Sequence, residues 1–250
     1  MPSFPKPFTF FLPPLAMSNT MESVPIGVEA ALRAAADPSF VPKPTLFERE
    51  FSLEGRVAVV TGGGRGLGLE MAEALAEAGA TVYCVARSTS PTDVWKSTQA
   101  YVSKLGVHKN ARLEYKSVDV SNQNAIWSAM EEIAQKEGRL DICIAAAGVA
   151  ERAPCLDLSA EQFEEVMAVD VNGTFYTAQG AARQMTKLGK PGSIILVASI
   201  AGHGALQGAP TIRYCTSKAA SIQMARSLAC ELAANGIRVN SVSPGYFATE

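Results

Sequence analysis

Hydrophobic positions along this chain fall into two alternating patterns. Short β-branched and apolar runs recur at Arg56–Thr61, Thr81–Ala86, Leu113–Asp119, Leu140–Ala146, Ser193–Ser199 and Ile237–Val242. They are apolar nearly throughout, as parallel strands covered on both faces must be. Between them lie Ala-rich stretches of helical character at Leu67–Ala78, Asn122–Glu137, Ala160–Lys187 and Tyr214–Ala234. Ser121 and Ser159 are placed to cap helix N-termini, the latter with Gln162 completing a capping box. Gly79 and Gly138 stand where helices should stop. Strand–helix alternation of this kind implies right-handed crossovers and predicts an α/β fold, a doubly wound parallel sheet (Rossmann fold) in a single domain.

The pattern changes near residue 50. The first 45 residues hold nine of the fourteen prolines, and the first 51 hold seven of the ten phenylalanines. Proline at that density removes backbone donors and blocks regular helix. Residues 1–50 therefore read as a Pro/Phe-rich N-terminal arm, poorly ordered or packed on a partner, ahead of the domain at 51–250. The Phe8–Leu12 cluster is broken up by prolines, follows only Lys6 and lacks a clean cleavage site, so it does not read as a targeting signal. Met17 and Met21 offer later starts.

Composition narrows the range of partners. Lys and Arg total 22 against 24 Asp and Glu, a net charge of −2 that supplies no field for nucleic acid or an anionic membrane. The longest apolar runs, such as Ile142–Ala147, are far too short to span a bilayer. A hydrophobic share of 48% is ample for a core. Five scattered cysteines with no CxxC, and two histidines, make no zinc set. Reduced thiols in a cytoplasmic protein are the expectation.

Three constellations carry chemistry. The first strand runs into Thr61-Gly62-Gly63-Gly64-Arg65-Gly66-Leu67-Gly68, and a helix opens directly after. Glycines there let the backbone turn tightly and approach a pyrophosphate at the helix N-terminus; a glycine-rich turn without a ligand is the alternative. Where the second strand ends, a carboxylate would hold both ribose hydroxyls, but this chain has Ala86-Arg87-Ser88. Arg87 and Arg65 can pair with a 2′-phosphate, which favours NADP(H) over NAD(H); otherwise they are two solvated surface arginines. Finally, Tyr214 and Lys218 stand four apart on one helix face, and Ser199 closes a buried strand at its carboxyl end. A phenol ordinarily ionises near pH ~10, and a neighbouring cation favours the ionised form.

Together these residues resemble a classical short-chain dehydrogenase/reductase. The likeness runs from about Phe51 to the chain end, through the glycine motif, Asp119-Val120, Asn172, Ser199, Tyr214, Lys218 and Pro244-Gly245. It implies Tyr214 as catalytic acid/base and Lys218 as the cation that eases its ionisation and holds the nicotinamide ribose. It further implies Ser199 on the substrate oxygen and Asn172 on a proton-relay water. Its cofactor contacts would be Gly62, Gly64, Arg65, Gly66, Leu67, Gly68, Arg87, Asp119, Val120, Ala146, Gly148, Pro244, Gly245, Phe247 and Thr249, besides Tyr214 and Lys218. The text Ser221–Leu232 is similar to fungal sugar and polyol reductases. A small carbonyl or alcohol substrate and a homodimer or homotetramer follow from the same likeness.

Departures from the family pattern shape the alternatives. Ala145-Ala146-Ala147-Gly148 stands where the family has Asn-Asn-Ala-Gly, and the span from Ser199 to Tyr214 is long, which predicts a longer loop over the substrate pocket. Glu250 follows Thr249 where family members continue with a substrate lid, a helix and an edge strand, so the expectation is a domain lacking them. A non-catalytic nucleotide-binding homologue and an oxoacyl or secondary-metabolite ketoreductase are the rival functions. His203 near Ser199 suggests a hydrolase triad with Asp157 or Asp170, but no Gly-x-Ser-x-Gly elbow supports it.

Overall fold

In the computed structural model, strand β1, Val57–Thr61, is buried at all five positions. Its side chains alternate between two apolar layers, Val57 and Val59 to one and Ala58 and Val60 to the other. The same period-2 division runs through β2, Thr81–Ala86, where Tyr83 and Val85 oppose Val82 and Cys84. A strand with two dry faces has no polar side to alternate, which is why its sequence reads as a continuous apolar run.

The structure describes residues 33, 35–37, 39, 50–105, 110–150, 152–205 and 208–248. The chain divides into Met1–Phe51 and Ser52–Glu250, and nearly all of the proposed arm lies outside the described residues. In the larger unit, β3 (Arg112–Ser117), β4 (Ile142–Ala145), β5 (Gly192–Val197) and β6 (Ile237–Val242) complete a six-stranded sheet of order β3-β2-β1-β4-β5-β6. Every pairing is parallel, with Val59 facing Tyr83 on one side and Cys143 on the other. The order reverses between β1 and β4, so the carboxyl ends of these strands open a crevice where ligands bind in such sheets.

Helices α1 (Gly66–Glu77) and α2 (Asp93–Leu105) cover one face, packing Leu69, Ala72, Trp95 and Val102 on it. On the other, α3 (Gln123–Glu137) brings Ile126, Met130 and Ile133. Helices α4 (Ala160–Met167), α5 (Thr174–Lys187) and α6 (Ile212–Leu232) follow, and α5 and α6 join this second layer through Ala178, Met185, Ala225 and Leu228. The capping box forms as expected: Ser159 accepts from the Gln162 N–H, and the Gln162 side chain accepts from the Ser159 N–H. Gly138 closes α3 in the left-handed region at φ 68°.

The structure departs from the expectations in four places. Helix α2 was not anticipated; only Trp95 and Val102 among its 13 residues are buried, so its apolar stripe is thin. The cap of α3 is Asn122, accepting from the Ala125 N–H, because Ser121 turns its hydroxyl and amide onto Asp119. The stretch 160–187 is not one uniform α-helix, since a π-turn at Ala168–Gly173 separates α4 from α5. Finally, β5 ends at Val197, which leaves Ser199 on the exit loop.

Candidate active site

The glycine loop is shaped by close backbone approach. Gly62 has φ +71°, and a β-carbon there would lie 2.8 Å from both the Ala146 carbonyl oxygen and the Ala147 nitrogen. At Gly63 a β-carbon would lie 2.8 Å from the Val60 carbonyl oxygen. Helix α1 then begins with no side-chain cap from Arg65 and no acidic residue in its first turn. Its N–H groups and the positive end of its dipole are thus left for an external anion. This is the cradle a pyrophosphate requires.

The loop opens on a cavity of about 460 Å³. Seven of the anticipated cofactor residues line it, namely Gly62, Gly64, Arg65, Arg87, Asp119, Val120 and Gly148. Gly66, Leu67 and Gly68 form the first turn of α1 behind it. Ala146, whose N–H donates to the Thr61 carbonyl at 3.2 Å, holds the crossover wall between β1 and β4. Both arginines are exposed. The Ser121 hydroxyl and amide hold the Asp119 carboxyl below the ordinary value against the opposing effect of burial, and Arg87 adds to the lowering.

Ser88 and Tyr115 also line the cavity and were not anticipated. The Tyr115 hydroxyl donates to the Ser88 carbonyl at 2.8 Å, and its ring packs edge-on against Trp95 at 5.3 Å. An aromatic residue in the middle of an edge strand is an ordinary β-former, so only the fold reveals that it faces the cavity.

Just past β5, Ser199 is buried, and its hydroxyl oxygen accepts the Ala201 N–H at 3.1 Å. Tyr214 and Lys218 share a face of α6, with Lys218 Nζ 5.5 Å from the Tyr214 ring centroid. Lys218 is buried and donates to the Val197 carbonyl at 3.2 Å. The Pro244 carbonyl accepts the Ile200 N–H at 3.1 Å, which brings Pro244-Gly245 beside the Ser199 loop. Phe247 is 62% exposed, and Thr249 lies outside the described residues.

Asn172 is not brought to this cluster; it is exposed on the π-turn. The inward residue of that turn is Asp170, fully buried, with Oδ2 3.4 Å from Lys218 Nζ. Its Oδ1 accepts the Val149 N–H at 2.8 Å, and Ser217 Oγ donates to Oδ2 at 3.3 Å. Burial pushes the Asp170 carboxyl above the ordinary value, and Lys218, the Val149 amide and Ser217 only partly oppose it. A helix with uniform spacing gives no warning that residue 170 points inward, because the turn changes the phase.

No triad forms around His203, whose Nε2 is 3.0 Å from Ser243 Oγ. Among the described residues no group of three or more His, Cys, Asp or Glu could hold a metal ion, and no helix is long and apolar enough to cross a membrane. The five cysteines are unpaired, and burial pushes the thiols of Cys84 and Cys143 up to about 11 and about 12. The loop between Ser199 and Tyr214 lines a second cavity of about 840 Å³, with Cys215 and Thr216 of α6 and Ala153–Leu156 as its other walls.

Comparison with known proteins agrees with this architecture. Residues 56–250 match the short chain dehydrogenase family. An NADP-dependent mannitol dehydrogenase of Hypocrea jecorina is 35% identical over 217 residues, covering 85% of this chain and 78% of its own length. A sorbose reductase of Candida albicans is 37% identical over 204 residues, covering 80% of this chain and 69% of its own. The crystal structure of a short-chain type dehydrogenase/reductase from Mycobacterium marinum superposes with a TM-score of 0.73 at 36% identity, covering 78% of this chain and 76% of that one. With the parallel sheet order and the glycine loop between β1 and α1, the chain belongs to the short-chain dehydrogenase family of oxidoreductases.

Proposed function

We propose that this protein is an NADP(H)-dependent oxidoreductase that interconverts a carbonyl and a secondary alcohol on a sugar, a polyol or a small ketone. The observation that carries this reading is the buried Lys218 ammonium lying 5.5 Å from the Tyr214 ring on one face of α6. Ser199 stands just past the end of β5, and Lys218 reaches back to the carbonyl of Val197, two residues before it. The named activities of the mannitol dehydrogenase and sorbose reductase relatives support the substrate class.

The cofactor would lie along the crevice, its pyrophosphate on the N-terminus of α1 and its adenosine end in the cavity lined by Arg65, Arg87 and Asp119. Arg87 and Arg65 would pair with the 2′-phosphate through their planar forks, which is the basis for preferring NADP(H). When bound, the nicotinamide supplies or accepts the hydride.

The chain's own residues handle the oxygen. Ser199 Oγ hydrogen-bonds the substrate oxygen and orients it. Tyr214 gives its proton to that oxygen in reduction and takes it back in oxidation. Lys218 sets a positive charge beside the Tyr214 ring and would hold the nicotinamide ribose. The cavity between the Ser199–Tyr214 loop and Ala153–Leu156 provides room for a substrate chain.

Replacement of Tyr214 by Phe tests the assignment. With NADPH and hexuloses such as D-fructose and L-sorbose, turnover should fall about a thousandfold, while NADPH binding followed by fluorescence stays within about threefold of the parent. Turnover that survives in Tyr214→Phe would remove Tyr214 as the proton donor.

A further inference from the structure

The second cavity, of about 840 Å³, adjoins the residues assigned to the substrate oxygen. Its wall residue Ala201 gives its N–H to Ser199 Oγ at 3.1 Å. Gly202, also in the wall, is pressed on α6, where a β-carbon would stand 2.6 Å from the Lys218 carbonyl carbon. Cys215 and Thr216 continue the wall directly after Tyr214. The Ala153 N–H donates to the Pro210 carbonyl at 3.1 Å, which ties the loop after β4 to the loop before α6.

The lining of this space is poor in partners for hydroxyl groups. Pro154, Leu156, Ala205, Pro210 and Ile212 are apolar, and Gly202, Gly204 and Gly208 add no side chain. Among the described residues of the wall there is no Asp, Glu, Lys, Arg, Asn or Gln. Two of its polar side chains are already engaged within the chain, His203 with Ser243 Oγ at 3.0 Å and Thr211 with the Ala209 carbonyl at 3.3 Å. The thiols of Cys155 and Cys215 are weak hydrogen-bonding groups. A sugar carries a hydroxyl on nearly every carbon, and each one buried without a partner weakens binding. Meanwhile two large apolar side chains of the wall stand in water, Leu156 at 95% exposure and Ile212 at 48%. Covering them favours an apolar occupant.

We infer that the substrate is a ketone, with its matching secondary alcohol, that carries an apolar arm, and that the arm occupies this cavity. The inference rests on the oxidoreductase reading above and selects the ketone among the substrate classes that reading allows. A pocket of this size, apolar with a few polar groups, suits a small organic molecule. Each methylene that the cavity takes from water strengthens binding until the arm fills the space.

A series of methyl ketones, reduced by the full chain with NADPH, tests this. From 2-butanone through 2-hexanone to 2-octanone, kcat/KM should rise about fourfold per methylene until the cavity is full. The longest ketone should exceed D-fructose and L-sorbose by at least about tenfold. Leu156→Asn combined with Ile212→Asn should lower kcat/KM for 2-octanone about tenfold, through KM, and leave 2-butanone within about twofold. NADPH binding followed by fluorescence should stay within about threefold of the parent. If the double variant fails to fold, Leu156→Asn alone, at an exposed position, gives the same comparison. A flat or falling series, a hexulose preferred to 2-octanone, or a series unaltered by the variant overturns the inference. Tyr214→Phe is carried through the same substrates. Turnover that survives there removes the proposed function, whereas lost turnover with a flat ketone series in the parent removes only the apolar arm. If the parent reduces neither ketone nor hexulose, the proposed function falls and this inference with it.

Discussion

The Tyr115 hydroxyl donates to the Ser88 carbonyl oxygen at 2.8 Å, tying the middle of β3 to the turn that carries Arg87. That bond spans the cavity wall, so β3 fixes where the turn after β2 stands. Tyr115→Phe removes the donor and leaves the ring packed on Trp95. A hydrogen bond of about 1 kcal/mol implies NADPH affinity about fivefold weaker, with a smaller change for NADH. Fluorescence titration of both nucleotides checks it.

Arg65 and Arg87 should carry the preference between the two cofactors. Replacing both with alanine should weaken NADPH binding about a hundredfold, from about 1.4 kcal/mol for each charge-assisted pair. NADH binding should change by less than about threefold. Equal losses for the two nucleotides would mean that the arginines do not read the 2′-phosphate.

Gly62 combines φ +71° with backbone 2.8 Å from the position of a β-carbon. Gly62→Ala therefore has to displace the Ala146-Ala147 backbone as well as adopt a strained conformation. Thermal unfolding should show a loss of about 2 kcal/mol or more, and NADPH affinity should fall at least about tenfold. A variant as stable as the parent would show that the loop and the exit of β4 can separate.

Asp141 joins the start of β4 to β1 by accepting the Val57 N–H at 2.9 Å and holding Arg56 at 3.0 Å and Arg139 at 2.7 Å. Burial would raise its carboxyl, but Arg139, the Val57 amide and Arg56 together hold it below the ordinary 3.8. A carboxyl lowered in the folded state stabilises above its unfolded value, and that stability is lost as pH falls through the folded value. Asp141→Asn should cost about 2 kcal/mol at pH ~7. In urea titrations the gap from the parent should close below about pH 4.

Much of the fold was legible because two-sided burial makes β1, β2 and β4 plain apolar runs and because the glycine loop interrupts the pattern at one place. Helix boundaries fell within two residues where a cap or a glycine marked them, as at Ser159 and Gly138. What escaped was set by packing. Helix α2 shows too few buried positions to announce itself, and Tyr115 reads as any strand aromatic. The largest divergence lies between Asn172 and Asp170, two residues apart. Motif reading favours the amide, but the π-turn leaves it exposed and seats the carboxylate on Lys218.

That turn also sets how the segment can change in length. An α-helix advances about 100° per residue, and a π-turn absorbs one residue more than an α-turn does. Deleting a single residue between Ala168 and Gly173 therefore closes the turn to the α form and leaves Ala178, Ala181 and Met185 in the layer they fill against the sheet. What such a deletion removes is the inward seat of Asp170 on Lys218. A change of length by one residue is absorbed at the turn itself, at the expense of that buried contact and not of the core.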